Sequence, residues 1–395
     1  MRGGFRTAHS AEPMTTPVLL VSTATQYVGT ARMPEALAKA GFEVSLLTPT
    51  HSLAAKSRFV AHCDFLPDNA TPLQWLSSFI AMVDSVSPEV VLPCDDNSVR
   101  LLQGLVGSPP AGMSALLHLK LAALVRKSLG DPRYYRTSID KTLLTPAAEA
   151  LGVRVPPYAI VKDVTDAKAF AAEQEYPLVL KCGYGTAGDW VAIVSSDAEL
   201  AQAIARFMSA PLPAFDEGGG KRLLIQAYIP GNSILQSVVA WGGTVLAGYA
   251  REKLKANPSP KGPSTLTRTF HSPEVRAFAE LLAAKFGMNA FFGVEFIWDR
   301  RTGQAYLLEI NRRITPGTYL GSLFDVDLCA ALYNAMHDGP PPARKALREG
   351  EEHFIAHFPQ EWLCDPASRQ LREWRVDAPW DDPELFLAML ALRRA

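Results

Sequence analysis

The chain has 395 residues, 48% of them hydrophobic, and a formal net charge of −1. That is enough apolar material for two or three packed domains, and the balanced charge removes the usual electrostatic case for nucleic acid as a partner. The five cysteines Cys63, Cys94, Cys182, Cys329 and Cys364 are scattered and never form C-x-x-C, which argues against a disulfide framework or a zinc site and for a cytoplasmic protein with reduced thiols.

Residues 1–16 read as a flexible leader, and no run reaches the roughly 18 apolar residues of a membrane span. The strand Val18 to Ser22, a helix from Met33 to Ala40 stopped by Gly41, and the strand Glu43 to Leu47 make a β-α-β opening. A helix from Leu73 to Val86, the strand Val90 to Pro93 and a helix from Asn97 to Val106 continue it, so residues 17–112 read as an open α/β sheet. Its first connection, Ser22 to Gly29, is not G-x-G-x-x-G, which weakens any nicotinamide reading. At a strand end, Asp95 and Asp96 serve equally as a helix cap or as ligand contacts.

Beyond Pro109, Pro110 and Gly112, connecting helices from Ser114 to Leu129 and from Lys141 to Leu151 fill residues 113–156. Residues 157–228 then read as a compact β-α-β-β-α unit the size of a lid, with a helix opened by Ser196-x-x-Glu199. Within it, Lys181 precedes Gly183, Gly185, Thr186 and Gly188, a literal G-x-G-x-x-G that leads from one strand into another and not into a helix. A dinucleotide site fits that badly. A glycine turn over nucleotide phosphates with Lys181 as a point charge fits better, and a plain flexible hairpin stays open.

Strands Ile234 to Ala240 and Thr244 to Ala250 flank a Gly242-Gly243 turn. Arg251 to Ser264 reads as a mobile loop whose Lys253, Lys255 and Lys261 either meet phosphate or are simply solvated. After a helix from Pro273 to Phe286 comes the stretch on which the chain is centred. Phe291 to Asp299 and Gln304 to Arg313 form a hairpin that sets Glu295 opposite Glu309, with Asn311 on the same face and Val294, Phe296, Leu308 and Ile310 on the core side. Facing carboxylates call for a cation. Two carboxylates and an amide oxygen are a hard donor set suited to Mg²⁺, although a solvated sheet face is the competing reading. A helical stretch from Gly317 to Asp338 follows, and Pro340-Pro341-Pro342 sets off a C-terminal piece, 341–395, whose Trp362, Trp374 and Trp380 pack back on the body.

The order of these features, with lysines at 141 and 181, the glycine loop, Gln226-x-Tyr228-Ile229-Pro230-Gly231 and the Glu295…Glu309-x-Asn311-x-Arg313 hairpin, resembles the ATP-grasp superfamily, in particular its carboxylate-amine ligases, over residues 17–340. The fold this implies is α/β: an N-terminal open α/β (pre-ATP-grasp, Rossmann-like) domain, then an ATP-grasp fold with a small α+β lid at 157–228 and a catalytic subdomain at 229–340. By resemblance, Lys141 and Lys181 contact ATP phosphates with Gly183, Gly185, Thr186 and Gly188. Gln226, Ala227, Tyr228 and Ile229 form the adenine hinge, and Ser233 stands near the ribose. Glu295, Glu309 and Asn311 hold Mg²⁺ or Mn²⁺. Arg313, with Lys181, acts in catalysis, and Arg251, Arg313, Thr315 and Gly317 line the substrate pocket. Gln226 replaces the usual hinge glutamate, and Asn232-Ser233 replaces an acidic ribose ligand.

The activity so implied is ATP-dependent joining of a carboxylate to an amine through an acyl phosphate, with amino acids or short peptides as small-molecule substrates, no nucleic-acid or membrane partner, and a homodimer as the base-rate default. The rivals are an ATP-grasp phosphotransferase and a catalytically silent nucleotide-binding protein.

Overall fold

The computed structural model describes residues 15–25, 27–67, 69–185, 190–209, 221–259, 262–341 and 344–392. Strands β1 (Thr16–Val21), β2 (Phe42–Pro49), β3 (Val60–Leu66) and β4 (Val90–Pro93) form a parallel sheet in the order β3-β2-β1-β4. Helix Met33–Ala40 covers it and stops at Gly41, whose φ of 110° suits a residue without a Cβ. Strand β3 was not foreseen. It is a short edge strand, VAHCDFL, whose five central residues are exposed on both faces, so its brief alternation marks no core side.

The second sheet is antiparallel, in the order β5 (Tyr158–Val161), β8 (Leu223–Ala227), β6 (Leu178–Cys182), β7 (Val191–Val194). Helices Val164–Glu173 and Asp197–Ser209 close its apolar side around Leu180, Ile225 and Phe207. The glycine turn thus joins two antiparallel strands. Residues Thr186 and Gly188 of that turn, Lys261, and the leader up to Met14 lie outside the described residues.

The third sheet holds seven strands, β9 (Asn232–Trp241), β10 (Thr244–Ala256), β11 (Ser264–Phe270), β12 (Ala290–Asp299), β13 (Gln304–Asn311), β14 (Phe354–Ala356) and β15 (Arg375–Val376), in the order β13-β12-β9-β10-β11-β14-β15. Helix Pro273–Phe286 packs on its back, against Phe292, Phe296 and Ile310. No helix among the described residues is long and apolar enough to cross a membrane.

Three expectations are corrected here. The expected mobile loop from Arg251 to Ser264 is mostly strand, because β10 runs on to Ala256 and β11 begins at Ser264. Its alternating Arg251, Lys253 and Lys255 are strand positions, and the first two line a cavity. The hairpin pairs Glu295 with Glu309 as expected, but a bulge follows, so that Phe296 pairs with Leu307 and Trp298 with Ala305. Leu307 therefore enters the core at 2% exposure, and Leu308 lines the cavity. The helical stretch after Gly317 is split into a 3₁₀ turn, Tyr319–Phe324, and helix Leu328–Met336, with Asp325 between them in the left-handed region at φ 63°.

The bulge makes a direct prediction. Leu307→Ala should cost about 2–4 kcal/mol of stability in urea denaturation, as a buried leucine does. Leu308→Ala should cost less than half of that, and the reverse order would mean that the ladder runs without the bulge.

Candidate active site

The register of the seven-stranded sheet sets Glu309, Glu295, Leu235, Arg251 and Thr269 in one row across β13, β12, β9, β10 and β11. The next row brings Asn311, Gly293 and Ser237 to the same face, because side chains two residues apart on a strand point the same way. This face floors a cavity of about 1400 Å³ that the lid and the N-terminal domain also line. Single small-molecule sites hold roughly 300–1,000 Å³, so there is room for more than one substrate.

Three cations converge on the acids. Lys141 opens helix Lys141–Glu149, which Asp140 caps by accepting from the Thr142 N–H at 2.9 Å. Its ammonium lies 2.9 Å from the Glu309 carboxylate. Lys181 reaches the cavity from β6 and is 5% exposed. The Lys141 N–H donates to the Gly183 carbonyl at 2.9 Å, tying the lid loop to the lysine helix. A Cβ on Gly183 would collide with the Asp140 carboxylate, so glycine is needed at this crossing.

Arg313 leaves the end of the hairpin for the N-terminal domain. It donates to Asp96 at 3.0 Å and to the Tyr27 hydroxyl at 2.8 Å. Asp95, by contrast, is a cap: it accepts from the Ser98 N–H at 2.9 Å and the Thr23 N–H at 2.6 Å. The two neighbouring acids therefore divide the roles that the sequence left open.

Burial and the facing Glu309 push the Glu295 carboxyl up from its ordinary value. Burial also works against ionised Glu309, but Lys141 and then Lys181 outweigh it and hold that carboxyl well below the usual range. On Lys141, burial is in turn outweighed by Glu309, and the ammonium is held above its ordinary value. On Lys181 burial wins, and the group falls to about 8. Two acids about 5 Å apart repel by roughly 3 kcal/mol at an effective dielectric near 20. The lysines offset that repulsion in part, and Glu295 remains the acid with affinity to spare.

Asn311 stands beside the pair, its amide 3.3 Å from Glu309. No group of three or more His, Cys, Asp or Glu side chains placed for a metal occurs among the described residues. A divalent cation at Glu295, Glu309 and Asn311 would therefore fill its shell from water or phosphate, as Mg²⁺ does and structural Zn²⁺ does not.

Of the other expected residues, Gly183, Gly185, Gln226, Ala227, Tyr228, Ile229, Ser233, Arg251 and Thr315 all line the cavity. The Ala227 N–H is taken by the Pro157 carbonyl at 2.8 Å, and the Gln226 amide nitrogen is buried without a partner. Asn232 is occupied by Glu252. Lys255 is drawn off to the buried Glu361 at 2.9 Å, whereas Lys253 faces the cavity. Gly317 contributes by what it lacks, since a Cβ there would run into the Arg251 guanidinium and the Ser237 hydroxyl.

Sequence reasoning missed Tyr27, Asp140, His357 and Gln360, all of which line the cavity. Tyr27 carried a usable signal, for it lies in the loop beyond the carboxyl end of the first parallel strand, where open α/β sheets bind ligands. His357 and Gln360 carried none. They come from the C-terminal piece, whose β14 pairs with β11.

Residues 138–317 match the model of the ATP-grasp domain family. That segment, a little under half of the chain, is an ATP-grasp domain. A curated relative, mitochondrial pyruvate carboxylase of Rattus norvegicus, is 27% identical over 210 residues, which are 51% of this chain and 18% of that protein, so the chain spans under a fifth of its length. Among solved structures, the biotin carboxylase domain of Hydrogenobacter thermophilus 2-oxoglutarate carboxylase, in complex with MgADP and bicarbonate, superposes with a TM-score of 0.63 at 18% identity, over 87% of this chain and 74% of that one. The L-amino acid ligase of Bacillus licheniformis superposes with a TM-score of 0.54 at 14% identity, over 82% and 74%. These likenesses extend the shared fold beyond the matched segment, which already contains the lid, to the N-terminal parallel sheet.

The Glu309 shift sets a pH dependence. A carboxyl held low in the folded state adds stability above its ordinary value of 4.5 and loses it as the pH falls below that value. In denaturant titrations, Glu309→Gln should therefore differ most from the parent protein above about pH 5, and the gap should close on acidification. A gap that does not change with pH would remove Lys141 as the cause.

Proposed function

We propose that this ATP-grasp protein is an ATP-dependent carboxylate-amine ligase. One observation carries the reading: two acids in one row and an amide beside them on the same face are matched by Lys141, Lys181 and Arg313, which come from three parts of the chain. That constellation suits a reaction whose catalysis is mostly positioning and charge neutralisation.

In this reading a substrate carboxylate oxygen attacks the terminal phosphorus of ATP and ADP leaves. The amine nitrogen then attacks the acyl carbon of the resulting acyl phosphate. Phosphate leaves with the carbon–oxygen electron pair, and the amine's proton passes to phosphate or solvent, giving an amide. Mg²⁺ bound at Glu295, Glu309 and Asn311 would supply charge neutralisation on the phosphates. Lys141 and Lys181 hold phosphate oxygens from above, and Arg313 holds the oxyanion of the carboxylate or acyl phosphate with its planar fork. Asp96 and Tyr27 fix that fork in place. The lid over the row excludes water that would hydrolyse the intermediate. The hinge from Gln226 to Ile229, with Ser233, takes the adenosine end, and the subdomain limits at 112, 156, 228 and 340 mark the working parts.

Glu309→Ala should lower substrate-dependent ADP release by at least about 100-fold while leaving the far-ultraviolet circular dichroism unchanged. Hydroxylamine should trap a hydroxamate during turnover. Sustained ADP release without any hydroxamate would favour phosphoryl transfer to another acceptor.

Lys181 supplies a second test. A phosphate beside an ammonium of depressed affinity restores its proton, so ATP binding near pH 8 should take up as much as roughly half a proton. Calorimetry in two buffers of different ionisation enthalpy measures this, and Lys181→Met should abolish the uptake. An unchanged uptake in that variant would assign the proton elsewhere.

A further inference from the structure

The buried cations of this chain nearly all have an answering charge or dipole. Lys141 has Glu309, Arg313 has Asp96, and the Arg312 guanidinium donates to the carbonyl of Leu129 at the C-terminal end of helix Ala115–Leu129, where the helix dipole is negative. Glu252, next in sequence to Arg251 on the opposite face, is 2% exposed and is met by Arg268 at 2.7 Å and Arg300 at 2.8 Å. Lys181 is buried without an ion pair but feels Glu309 across the cavity. Arg251 is 2% exposed and lines the cavity, yet it has no carboxylate partner among the described residues, and its Nε has no hydrogen-bond partner.

What Arg251 has is an imidazole ring. His357 Nε2 lies 3.5 Å from an Arg251 terminal nitrogen and 2.9 Å from the Thr267 hydroxyl. The other ring nitrogen, Nδ1, donates to the Asp377 carboxylate at 3.1 Å, and because a guanidinium offers only donors, Nε2 is the acceptor that aims it. Asp377 is held in turn by the Tyr319 hydroxyl at 2.7 Å and the Phe358 N–H at 2.6 Å. Gly317 keeps clear the space that the guanidinium fills. A relay from Asp377 through His357, and a glycine whose missing Cβ leaves room for this guanidinium beside the Ser237 hydroxyl, make a built site and not a stray side chain. A buried guanidinium left without an anion is costly, and a site that preserves one is shaped for an anion that arrives.

The row across the sheet gives the scale. Arg251 lies two strands from Glu295, which is about 10 Å at the backbone. The carboxylate to be phosphorylated belongs at Glu295, Glu309 and Arg313, so an anion at Arg251 is a different group.

We propose that Arg251 receives a substrate carboxylate that is not activated, so that one of the two joined partners carries a carboxylate beyond the reacting one, and that His357 of the C-terminal piece is the positioning residue for Arg251. This rests on the ligase reading. A simple amine joined to a simple acid would have no use for the site, whereas an amino acid as the attacking partner, or a dicarboxylate as the activated one, would.

The test is an ADP-release matrix on the full chain, with L-amino acids and dicarboxylic acids offered in pairs, each beside a version in which one carboxylate is masked as the carboxamide. Masking the amine partner's carboxylate, or the second carboxylate of a dicarboxylic acid partner with its reacting one left free, should abolish turnover, and whichever does so names the source. Arg251→Gln should raise KM for that partner at least about 30-fold, with the affinity for MgATP within about twofold. Arg251→Lys, which keeps the charge and loses the fork, should fall between. His357→Leu should reproduce the KM effect and His357→Gln, whose amide oxygen can accept from Arg251, should largely restore it. Equal turnover of masked and unmasked partners, or an unchanged KM in Arg251→Gln, overturns this inference and leaves the ligase reading standing. MgATP binding without ADP release from any pair overturns both.

Discussion

Two carboxylates facing each other across a hairpin are the constraint around which this molecule is arranged. Glu295 and Glu309 are registered by the ladder of β12 and β13, and neither can move away without breaking it. Left to themselves they would destabilise the sheet. Two other parts of the chain contribute a cation to the same cavity, the connecting helices Lys141 and the lid Lys181, while the hairpin's own Arg313 is held by Asp96 of the N-terminal domain. Charge matching therefore does part of the work of domain assembly. The Lys141 N–H to Gly183 bond joins the lid to this arrangement through the backbone, so the lid loop and the Lys141 end of the row cannot shift independently.

The sequence showed the row because strands repeat with period two and acids are rare on an aromatic, β-branched strand. Alternation alone placed Glu295, Glu309 and Asn311 on one face, and the structure keeps them there. It could not locate the bulge. Tyr306-Leu307-Leu308 offers two adjacent leucines, either of which can fill the core, and only the packing against helix Pro273–Phe286 selects Leu307. Strand β10 was misread beyond Ala250 for a related reason. Arg251, Glu252, Lys253 and Lys255 look like a solvated loop because charge normally signals exposure, whereas here one face meets a cavity and the other meets Arg268 and Arg300. Thr265, Thr267 and Thr269 carried a strand signal in β11 that the neighbouring prolines obscured.

The C-terminal piece was the least legible part, and the reason is sequence distance. The contact of His357 with Arg251 spans 106 positions and depends on β14 adding to β11, which no local pattern announces. Three short strand residues and a following turn carry His357 and Gln360 to the cavity wall. The stacking of His353 on Phe324 of the body, at 5.3 Å between centroids, anchors the piece there.

The two arginines of the cavity then differ in a way that matters for chemistry. Arg313 already shares its charge with Asp96, so a group that binds it must compete with or rearrange an existing pair, and its field on the row is partly cancelled. That suits a residue that must release an oxyanion once the intermediate has reacted. Arg251 lies beside His357 of the C-terminal piece, buried and without a carboxylate partner among the described residues, where the interaction with an arriving anion is strongest and least screened. That suits a residue that selects and holds. Selection and turnover are thereby assigned to different guanidinium groups, one set by the N-terminal domain and the other by the C-terminal piece, with the acid row between them.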